Sequence, residues 1–513
     1  MKMQKSKKQK RYFFGIAPAE WLVVALLSVS FLCFFAGRWY LETYGQLGFD
    51  SILYTLTADM AGVESDLIKS FVKKVMARVF FATFCVSVFL FIPSKNKIIM
   101  QLGKKLRFRL FPLNRKFALV SAMLISVALI GTAAVETELT KFIYYMNHPS
   151  TFYEEEYRDP DAVRVAFPEE KRNLIYIYLE SMETAFLSEE EGGALKKNVI
   201  PELHALARDN INFSPNDGVG GVFSPTGTTW TTAALVAQTA GIPLKVTAGV
   251  HHNEYGLEGA YMPGITTLSD ILRENGYMQA LMFGSDAEFG GRYQYFTTHG
   301  IDRVYDYYTA IEDGLIPQDY YVWWGFEDLY LYKYAQQALT ELAAGEEPFA
   351  FTMLTVDTHH VSGYVCSLCG DDHTEQYENV FSCASKQLYS FVQWLQQQPF
   401  YEDTTVIIAG DHPSMDADYM NRRVSGSYDR RVYNCILNSA VQTDRSKNRQ
   451  AAVVDMFPTT LAAMGCTIEG DRLGLGTNLF SELPTLMETM GEDRFDDEVA
   501  RYSQYYIDHF FYE

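Results

Sequence analysis

The chain has 513 residues, too many for one simple hydrophobic core and enough for a membrane anchor followed by one large α/β domain. Its formal net charge is −20 at pH 7, and residues 117–513 hold 24 Lys and Arg against 57 Asp and Glu, a net of −33. Because so acidic a surface repels polyanions, the composition argues against nucleic acid as a partner.

Three apolar stretches lie near the N-terminus: Trp21–Gly37, Val75–Ile92 and Phe117–Val135. Each approaches the ~20 residues that a helix needs to cross the hydrocarbon core of a bilayer. Arg78 shortens the uncharged run of the second stretch. A cleaved signal peptide is the alternative for the first, but it lacks a clear small-x-small cleavage site and two more hydrophobic segments follow. We therefore predict three retained transmembrane helices.

Lys and Arg residues predict how these helices are oriented. Residues 1–11 carry six of them and the loop Lys95–Lys116 carries eight, whereas the five in Arg38–Arg78 are offset by five carboxylates. The positive-inside rule places the head and the Lys95–Lys116 loop in the cytoplasm. Three crossings then put everything after Val135 on the other side. The sequence thus predicts a multi-pass protein of the cytoplasmic membrane whose main domain is extracytoplasmic, either periplasmic or at the cell surface.

These features divide the chain into four predicted parts. Residues 1–136 form the membrane anchor, and residues 137–170 form a polar linker rich in Glu, Tyr and Pro. The main domain is expected over residues 171–490, and residues 491–513 are expected to be a C-terminal tail.

Within the main domain, apolar runs of strand length alternate with helical patterns. The strand-like runs are Asn173–Glu180, Tyr277–Gly284, Phe349–Asp357 and Thr404–His412. Apolar strands that alternate with helices are typical of a mostly parallel sheet sandwiched by helices, so we predict an α/β fold. Such sheets bind ligands beyond the carboxyl ends of their strands, which is where a functional site is expected.

Three of these strands end in side chains that bind metal ions or transfer protons. The residues are Glu180 after the first strand, Asp357, His359 and His360 after the third, and Asp411 and His412 after the fourth. Carboxylates and imidazoles that converge at one sheet edge suit Zn²⁺ or another transition metal. A single strand-end Asp is a helix cap about as often as a ligand. Three such ends together favour a metal site.

A nucleophile is offered by the segment "GGVFSPTGTTWTTAALVAQTAGIPL". It holds Ser224 and five threonines between Thr226 and Thr232, and a helical pattern starts at Trp230. At the N-terminus of a helix, backbone N–H groups stabilise a phosphate or a developing anion. Coordination to a metal ion would also lower the pKa of a hydroxyl there. An ordinary threonine cap is the alternative.

Three cysteines cluster in the polar segment "VCSLCGDDHTEQYENVFSC". One CxxC pair, Cys366 and Cys369, with a single further Cys383 and His373 is a poor match to the spacing of structural zinc sites. For an extracytoplasmic domain, a disulfide from Cys366 or Cys369 to Cys383 is the favoured interpretation.

Several of these segments, in this order and behind membrane spans, resemble a known family. The landmarks are "NLIYIYLESMET", "GTTWTTAALVAQTAGIPL", "YFTTHGID", "LTVDTHH", "TTVIIAGDH" and "DRLGLGTNLFS", with "LGFDSILYTLT" in the outer loop. Together they resemble the alkaline phosphatase/sulfatase superfamily, in its lipoteichoic acid synthase and phosphoglycerol transferase branch, and most closely the members that modify periplasmic glucans. The resemblance extends from about Leu47 to about Ser481.

The resemblance implies roles for individual residues. Glu180, Asp411 and His412 match metal ligands. Thr228 matches the nucleophile that also touches the metal. That register rests on the thirteen-residue step from Thr228 to Gly241, with Thr229 and Thr226 as the alternatives.

Two further residues match groups that contact the substrate. Arg292 falls where the family keeps an arginine on the substrate phosphate, a role that suits a guanidinium fork, with a surface arginine as the alternative. His359 matches a histidine near the substrate that donates a hydrogen bond to phosphate or a proton to the leaving glycerol oxygen. Lipoteichoic acid synthases carry a tryptophan where this chain has Gly290 and a histidine where it has Phe283, which leaves the preference for head group and acceptor open.

The implied reaction is a two-step transfer of glycerophosphate. The threonine would attack the phosphodiester of a phospholipid such as phosphatidylglycerol and release diacylglycerol. A hydroxyl of a glucan or another envelope glycopolymer would then attack the glycerophosphoryl-threonine. One divalent metal ion is expected, and the oxygen-rich ligand set favours Mn²⁺ or Mg²⁺ over Zn²⁺.

Alternatives come from the same superfamily and from outside catalysis. A phosphoethanolamine transferase, a phosphodiesterase or a sulfatase would share the fold. The sulfatase is disfavoured because "SPTGT" lacks the arginine of the Cys/Ser-x-Pro-x-Arg motif. A non-catalytic binding or sensor protein on this fold is the other class, and the complete set of predicted catalytic residues argues against it.

Overall fold

The computed structural model describes most of the chain, and its described residues are 18–45, 48–57, 69–95, 98–102, 106–110, 115–245, 259–301 and 303–511. The predicted basic head, residues 1–11, lies outside them. The chain divides into two compact units. The first comprises Met1–Glu42 and Glu64–Lys141, and the second comprises Thr43–Val63 and Phe142–Glu513.

The helices and strands are numbered in chain order. The helices are α1 Pro18–Tyr44, α2 Phe49–Thr57, α3 Ala77–Lys95, α4 Arg115–Glu136, α5 Leu139–Asn147, α6 Phe152–Glu156, α7 Pro201–Asp209, α8 Thr231–Ala240, α9 Leu268–Glu274, α10 Arg292–Thr298, α11 Tyr307–Glu312, α12 Asp328–Leu342, α13 Gln376–Leu395, α14 Ala417–Arg423, α15 Met456–Ala463, α16 Leu486–Met490, α17 Glu492–Ala500 and α18 Gln504–Phe510. The strands are β1 Ile98–Leu102, β2 Leu106–Leu110, β3 Val165–Ala166, β4 Asn173–Leu179, β5 Gly221–Val222, β6 Met278–Phe283, β7 Arg303–Tyr305, β8 Phe349–Leu354, β9 Thr404–Gly410, β10 Val432–Leu437, β11 Thr467–Ile468, β12 Arg472–Leu473 and β13 Gly476–Thr477.

Three apolar helical segments in the N-terminal part of the chain are long enough to cross a membrane. They are Glu20–Tyr44, Lys69–Phe91 and Arg115–Glu136, with mean hydropathies of 2.0, 1.8 and 2.3. The prediction of three membrane-length helices is therefore confirmed by length and composition. Between the second and third of them, β1 and β2 form an antiparallel hairpin in the loop predicted to be cytoplasmic.

The centre of the second unit is a seven-stranded sheet in the order β5-β10-β9-β4-β8-β6-β7. The five strands from β9 to β7 run parallel, whereas β10 pairs antiparallel with β9, and β5 pairs antiparallel with β10. The predicted mostly parallel α/β sheet is confirmed. The antiparallel edge was not predicted, because β10 is buried along its whole length and its sequence, "VYNCIL", reads like that of a parallel strand.

Both faces of this sheet are covered. Along β4, Leu174, Tyr176 and Tyr178 belong to one buried cluster, and the intervening residues Ile175, Ile177 and Leu179 belong to another. Since successive side chains of a strand point to opposite faces, each cluster fills one side of the sheet. Because the strand is buried on both faces, the polar side chains that could bind a metal lie on the residues just after its end.

Segments predicted to be a linker and a tail contribute to the core of the second unit. In the linker, Phe152 and Tyr153 are buried, and the Tyr153 ring packs edge-on against Tyr506 of α18 at 5.2 Å between centroids. Phe495 of α17 and Phe510 are buried as well. The many aromatic residues of these two segments explain why they pack against the domain, since each such side chain buries a large apolar area.

Candidate functional site

Two neighbouring parallel strands bring the candidate metal ligands together. In the pairing of β4 with β9, Leu179 lies opposite Gly410. The next residues, Glu180 on one strand and Asp411 on the other, therefore leave the sheet side by side. Glu180 is 2% exposed, and Asp411 and His412 are both 0% exposed.

The imidazole of His412 faces both carboxylates. Its Nε2 lies 3.3 Å from Asp411 Oδ2 and 3.6 Å from Glu180 Oε1. Its Nδ1 lies 2.9 Å from the carbonyl oxygen of Pro413, which can only accept a hydrogen bond, so Nδ1 is the nitrogen that donates. In the neutral ring this leaves the lone pair of Nε2 directed at the carboxylates, the arrangement typical of a histidine that binds a metal.

The carboxylate of Asp411 is satisfied on one side only. Its Oδ1 accepts hydrogen bonds from the backbone N–H groups of Ser181 and His412, each at 2.7 Å. Among the described residues, its buried Oδ2 has no hydrogen-bond donor. Burial raises the pKa of Asp411 to about 7, and burial together with the charge of Asp411 raises the pKa of Glu180.

A single divalent cation fits this group. One ligand atom from each of Glu180, Asp411 and His412 lies within 4.8 Å of the others. Two buried carboxylates facing each other cost free energy unless a positive charge lies between them. The unpartnered Oδ2 and the inward lone pair of His412 supply that cation with ligands of the kinds that divalent metals accept. The structure thus brings together the three predicted ligands.

The predicted nucleophile, Thr228, is not in this group. Its Oγ donates to the carbonyl oxygen of Pro225 at 2.7 Å and lies 2.8 Å from Ser224 Oγ, inside the turn that precedes α8. The hydroxyl at the cluster belongs to Thr231. Thr231 Oγ lies 3.3 Å from His412 Nε2 and 3.5 Å from Glu180 Oε2.

Helix geometry explains why Thr231 reaches the cluster. Trp230 is extended, with φ −139° and ψ 158°, and Thr231 is the first residue of α8. The helix ends at Gly241, whose φ of 67° and bond from its N–H to the Ala237 carbonyl close the last turn. The sequence could have indicated Thr231, because a helical pattern that starts at Trp230 makes Thr231 the first helical threonine.

Arg292 is buried beside the site rather than exposed on the surface. It is 5% exposed and begins α10. Its Nη2 donates to Ser285 Oγ at 3.0 Å and to the Asp286 carbonyl at 2.5 Å, and its Nε donates to the Phe289 carbonyl at 2.9 Å. Burial lowers its pKa to about 10, and nearby carboxylates, including that of Glu180, oppose the shift. The guanidinium therefore stays charged at neutral pH.

His359 lies after β8 and is partly exposed. Its Nδ1 donates to the carbonyl oxygen of His360 at 2.8 Å, which leaves Nε2 as the acceptor of the neutral ring. Burial lowers the pKa of His359, and the charge of Glu180 opposes that shift. The ring of Trp324 meets it edge-on, with 4.7 Å between centroids.

Trp324 was missed by the sequence analysis. Its indole also packs against Phe289 at 5.2 Å, and its buried Nε1 has no hydrogen-bond partner among the described residues. A signal for it exists in the run of aromatic residues "YYVWWGF", which a solvent-exposed loop would not need. The indole N–H is therefore a buried donor without a partner among the described residues, next to the ring of His359.

The third strand-end carboxylate, Asp357, has a different partner. Its Oδ1 accepts the backbone N–H of Asp328 at 3.1 Å. The Asp328 carboxylate in turn accepts the N–H groups of Val356 and Asp357, at 2.7 and 3.1 Å. These reciprocal bonds fix the turn after β8, and so they hold the segment that carries His359.

The position of Gly290 explains why a bulky side chain is missing there. Gly290 has φ 67°, and a Cβ atom would lie 2.8 Å from Thr232 Oγ. Its carbonyl oxygen accepts hydrogen bonds from Tyr54 Oη at 2.5 Å and from Thr232 Oγ at 2.9 Å. Tyr54, on α2, also packs against Trp230 at 5.4 Å between ring centroids. At the second position where lipoteichoic acid synthases differ, the centre of the Phe283 ring lies 4.4 Å from the Arg292 guanidinium.

The disulfide predicted for the cysteine cluster is not formed. Cys366, Cys369 and Cys383 are all free, and the Cys366 sulfur lies 3.7 Å from each of the other two. Spacing along the chain could not show this, because it does not reveal that the Cys366 sulfur lies equally close to the other two.

Comparison with known proteins gives a family and several relatives. A family model described as Sulfatase matches residues 172–466. Phosphoglycerol transferase I of Xanthomonas axonopodis pv. citri is 28% identical to the chain, over 61% of this chain and 43% of its own length. The chain spans less than half the length of such curated relatives.

Two solved structures can be aligned with part of the chain. The lipoteichoic acid synthase LtaP of Listeria monocytogenes aligns at 21% identity with a TM-score of 0.47, over 62% of this chain and 79% of that one. A protein of the alkaline phosphatase superfamily from Vibrio parahaemolyticus aligns at 20% identity with a TM-score of 0.48, over 66% of this chain and 78% of that one.

Proposed function

The chain belongs to the sulfatase family, and from that premise we propose that it is a membrane-anchored phosphoglycerol transferase. It would move glycerophosphate from phosphatidylglycerol, through a threonine intermediate, to a hydroxyl of a glucan or another envelope glycopolymer. The observation that carries the proposal is the placement of the Thr231 hydroxyl beside two buried carboxylates and an imidazole. The names of the curated relatives support the choice of glycerophosphate as the group transferred.

Glu180, Asp411 and His412 would hold one divalent ion, with Mn²⁺ or Mg²⁺ favoured by the two carboxylates. When bound, such an ion supplies positive charge that favours ionisation of a neighbouring hydroxyl and stabilises charge on a phosphoryl group. The protein itself orients the ligands, because the Ser181 N–H donates to Asp411 and the Nδ1–H of His412 donates to the Pro413 carbonyl.

In the first step, Thr231 Oγ attacks phosphorus and the bond from phosphorus to the diacylglycerol oxygen breaks. In the second, a hydroxyl of the acceptor attacks the same phosphorus and Thr231 leaves. In each step, one proton must pass from the attacking hydroxyl to the leaving oxygen. We assign its transit to Nε2 of His359, whose lowered pKa suits a group that binds the proton only briefly.

Arg292 would bind the phosphate of the donor. Its three hydrogen bonds to Ser285, Asp286 and Phe289 hold the guanidinium in one orientation. Preorganisation of this kind lowers the cost of binding an anion, because fewer rotamers are lost when the substrate arrives.

Replacing Arg292 by Lys is expected to lower kcat/KM roughly 10- to 150-fold, mainly through KM. A hydrogen bond to a charged group contributes about 1.5–3 kcal/mol, and an ammonium group cannot reproduce the guanidinium fork. Lys retains the buried charge, so the fold should survive. The measurement is the rate of diacylglycerol release at varied donor concentration, with Arg303→Lys on the exposed part of β7 as the control. An unchanged KM would show that Arg292 does not contact the donor.

The decisive experiment follows a label from the donor. The full-length protein in vesicles receives phosphatidylglycerol labelled in its head-group glycerol, together with a glucan acceptor. Transfer of the label to the glucan with release of diacylglycerol supports the proposal. Label released to water as glycerophosphate would identify a phosphodiesterase, and transfer from labelled phosphatidylethanolamine alone would identify a phosphoethanolamine transferase. Absence of diacylglycerol with every donor would refute the proposal.

The anchor would place the site close to a lipid donor at high effective concentration, without any additional contact. Reporter fusions after Lys116 and after Thr140 are expected to give opposite signals, cytoplasmic and extracytoplasmic, because the third span lies between them. A fusion after Tyr44 should match the one after Thr140. Equal signals at Lys116 and Thr140 would overturn the three-span topology.

A further inference from the structure

A second cluster of metal-binding side chains lies outside the candidate catalytic site. Cys366 and Cys369 lie in the loop between β8 and α13, and Cys383 lies on α13 itself. Cys366 and Cys383 are 4% and 3% exposed, and Cys369 is partly exposed. One sulfur from each lies within 4.8 Å of the others.

The two sulfur–sulfur distances at Cys366 match those around a zinc ion. Cys366 Sγ lies 3.7 Å from Cys369 Sγ and 3.7 Å from Cys383 Sγ. In a tetrahedral site with zinc–sulfur bonds of about 2.3 Å, neighbouring sulfurs are about 3.8 Å apart. Simple van der Waals contact between two thiols does not require a third sulfur at the same distance from one of them. A metal ion shared by three cysteines brings two sulfurs equally close to the third.

A side-chain amide donates hydrogen bonds to two of these sulfurs. The Cys369 N–H donates to the Cys366 carbonyl at 3.2 Å, which curls the CxxC segment around the first sulfur. Gln387 Nε2 donates to Cys383 Sγ at 3.5 Å and to Cys366 Sγ at 3.8 Å. A donor placed in this way favours thiolates, the form in which cysteine binds a metal.

We propose that Cys366, Cys369 and Cys383 bind one Zn²⁺ as thiolates, separately from the ion at the catalytic cluster. Sulfur ligands select zinc over Mg²⁺ and Mn²⁺, which prefer oxygen. Binding displaces the three thiol protons to solvent. Three protein ligands leave the fourth tetrahedral position to water.

The zinc would fix the position of the loop that carries His359. From His360 the chain reaches Cys366 in six residues, and the Tyr364 N–H already donates to the Asp357 carbonyl at 2.7 Å. Gln376 Nε2, at the start of α13, donates to the carbonyls of Ser362 and Gly363. If Cys366, Cys369 and Cys383 bind the same zinc ion, that ion joins the far end of this loop to the middle of α13. The site holds the loop in place and does not depend on the reaction proposed above.

The test uses the full-length protein in detergent, purified without chelators. Zinc analysis should find one equivalent that survives in Asp411→Asn and is lost in Cys383→Ser. Replacement of zinc by Co²⁺ should give a thiolate-to-cobalt charge-transfer band, which a carboxylate and imidazole site cannot produce. Cys435→Ser, a change at another buried free cysteine, should keep both the zinc and the band.

Two results would overturn the proposal. One is a disulfide from Cys383 to Cys366 or Cys369, found by peptide mapping of the unreduced wild-type protein. The other is wild-type protein with three free thiols at these positions that binds neither zinc nor cobalt there. Both measurements use the unaltered chain, so they decide the matter even where Cys383→Ser does not fold.

Discussion

Thr231→Ala is expected to abolish transfer, with kcat/KM lower by about four orders of magnitude or more, the size of effect seen when a covalent nucleophile is removed. The Thr231 hydroxyl is the one placed at the carboxylate and imidazole cluster, 3.3 Å from His412 Nε2. Thr231→Ser keeps a hydroxyl at the same atom position and should retain part of the activity. The measurement is release of diacylglycerol under saturating donor.

The matched control is Thr228→Ala, three residues earlier in the same turn. That hydroxyl bonds to the Pro225 carbonyl and to Ser224, so its loss should cost about 1 kcal/mol of folding stability and leave most of the activity. This comparison separates the residue that the geometry favours from the one that sequence spacing favoured. If Thr228→Ala is inactive and Thr231→Ala is active, the spacing was the better guide.

The covalent intermediate can be located directly. Incubation with labelled phosphatidylglycerol and no acceptor should leave a glycerophosphoryl group on Thr231, found by mass spectrometry of the peptide. An adduct on Thr226, Thr228 or Thr229 would keep the chemistry and reject the assignment. If no adduct forms and Thr231→Ala stays active, the two-step mechanism does not operate.

The second large effect is expected from loss of the metal. Asp411→Asn preserves the shape of the side chain and one oxygen that can accept the bonds from Ser181 and His412, but it removes the negative charge from the site. We expect loss of the bound ion and of nearly all activity, while the domain stays folded. Chelation of the wild-type protein should have the same effect, and Mn²⁺ or Mg²⁺ should restore the activity.

A buried aspartate elsewhere serves as the control for this change. Asp455 is also buried, and burial raises its pKa to about 7, as it does for Asp411. It accepts hydrogen bonds from the backbone N–H groups of Ala452 and Thr477. Asp455→Asn should lower the melting temperature and leave the catalytic ion in place. Full activity of the wild-type protein in excess chelator would reject metal dependence.

The strand-end ligands were predictable because three simple regularities agree there. Strands buried on both faces, helices between them and polar residues just beyond their ends together placed Glu180, Asp411 and His412 at one edge of a parallel sheet. Residue type and position after a strand were enough to place these residues, together with Asp357, at one sheet edge, and the family resemblance selected the three as metal ligands. The direction of β10 could not be predicted in the same way, because a strand buried on both faces has a similar sequence whether it pairs parallel or antiparallel.

Other parts of the site depend on distances that spacing does not encode. Thr228 and Thr231 are both hydroxyls near a helix start, and only the path of the turn decides which one faces the ligands. Tyr54 reaches the Gly290 carbonyl across 236 positions of sequence. Sequence spacing favoured a disulfide with one cysteine left over, and it does not encode that the Cys366 sulfur lies 3.7 Å from both of the others.

The second unit is discontinuous, since it takes Thr43–Val63 from between the first two candidate spans and Phe142–Glu513 from after the third. A protease that cuts once near residue 141 would therefore leave Tyr54 on the fragment with the apolar helices, and the Gly290 carbonyl would lose that donor when the two fragments separate. No single cleavage can separate a complete copy of this unit from the helices of membrane length. A recombinant fragment that begins at Phe142 lacks the same piece.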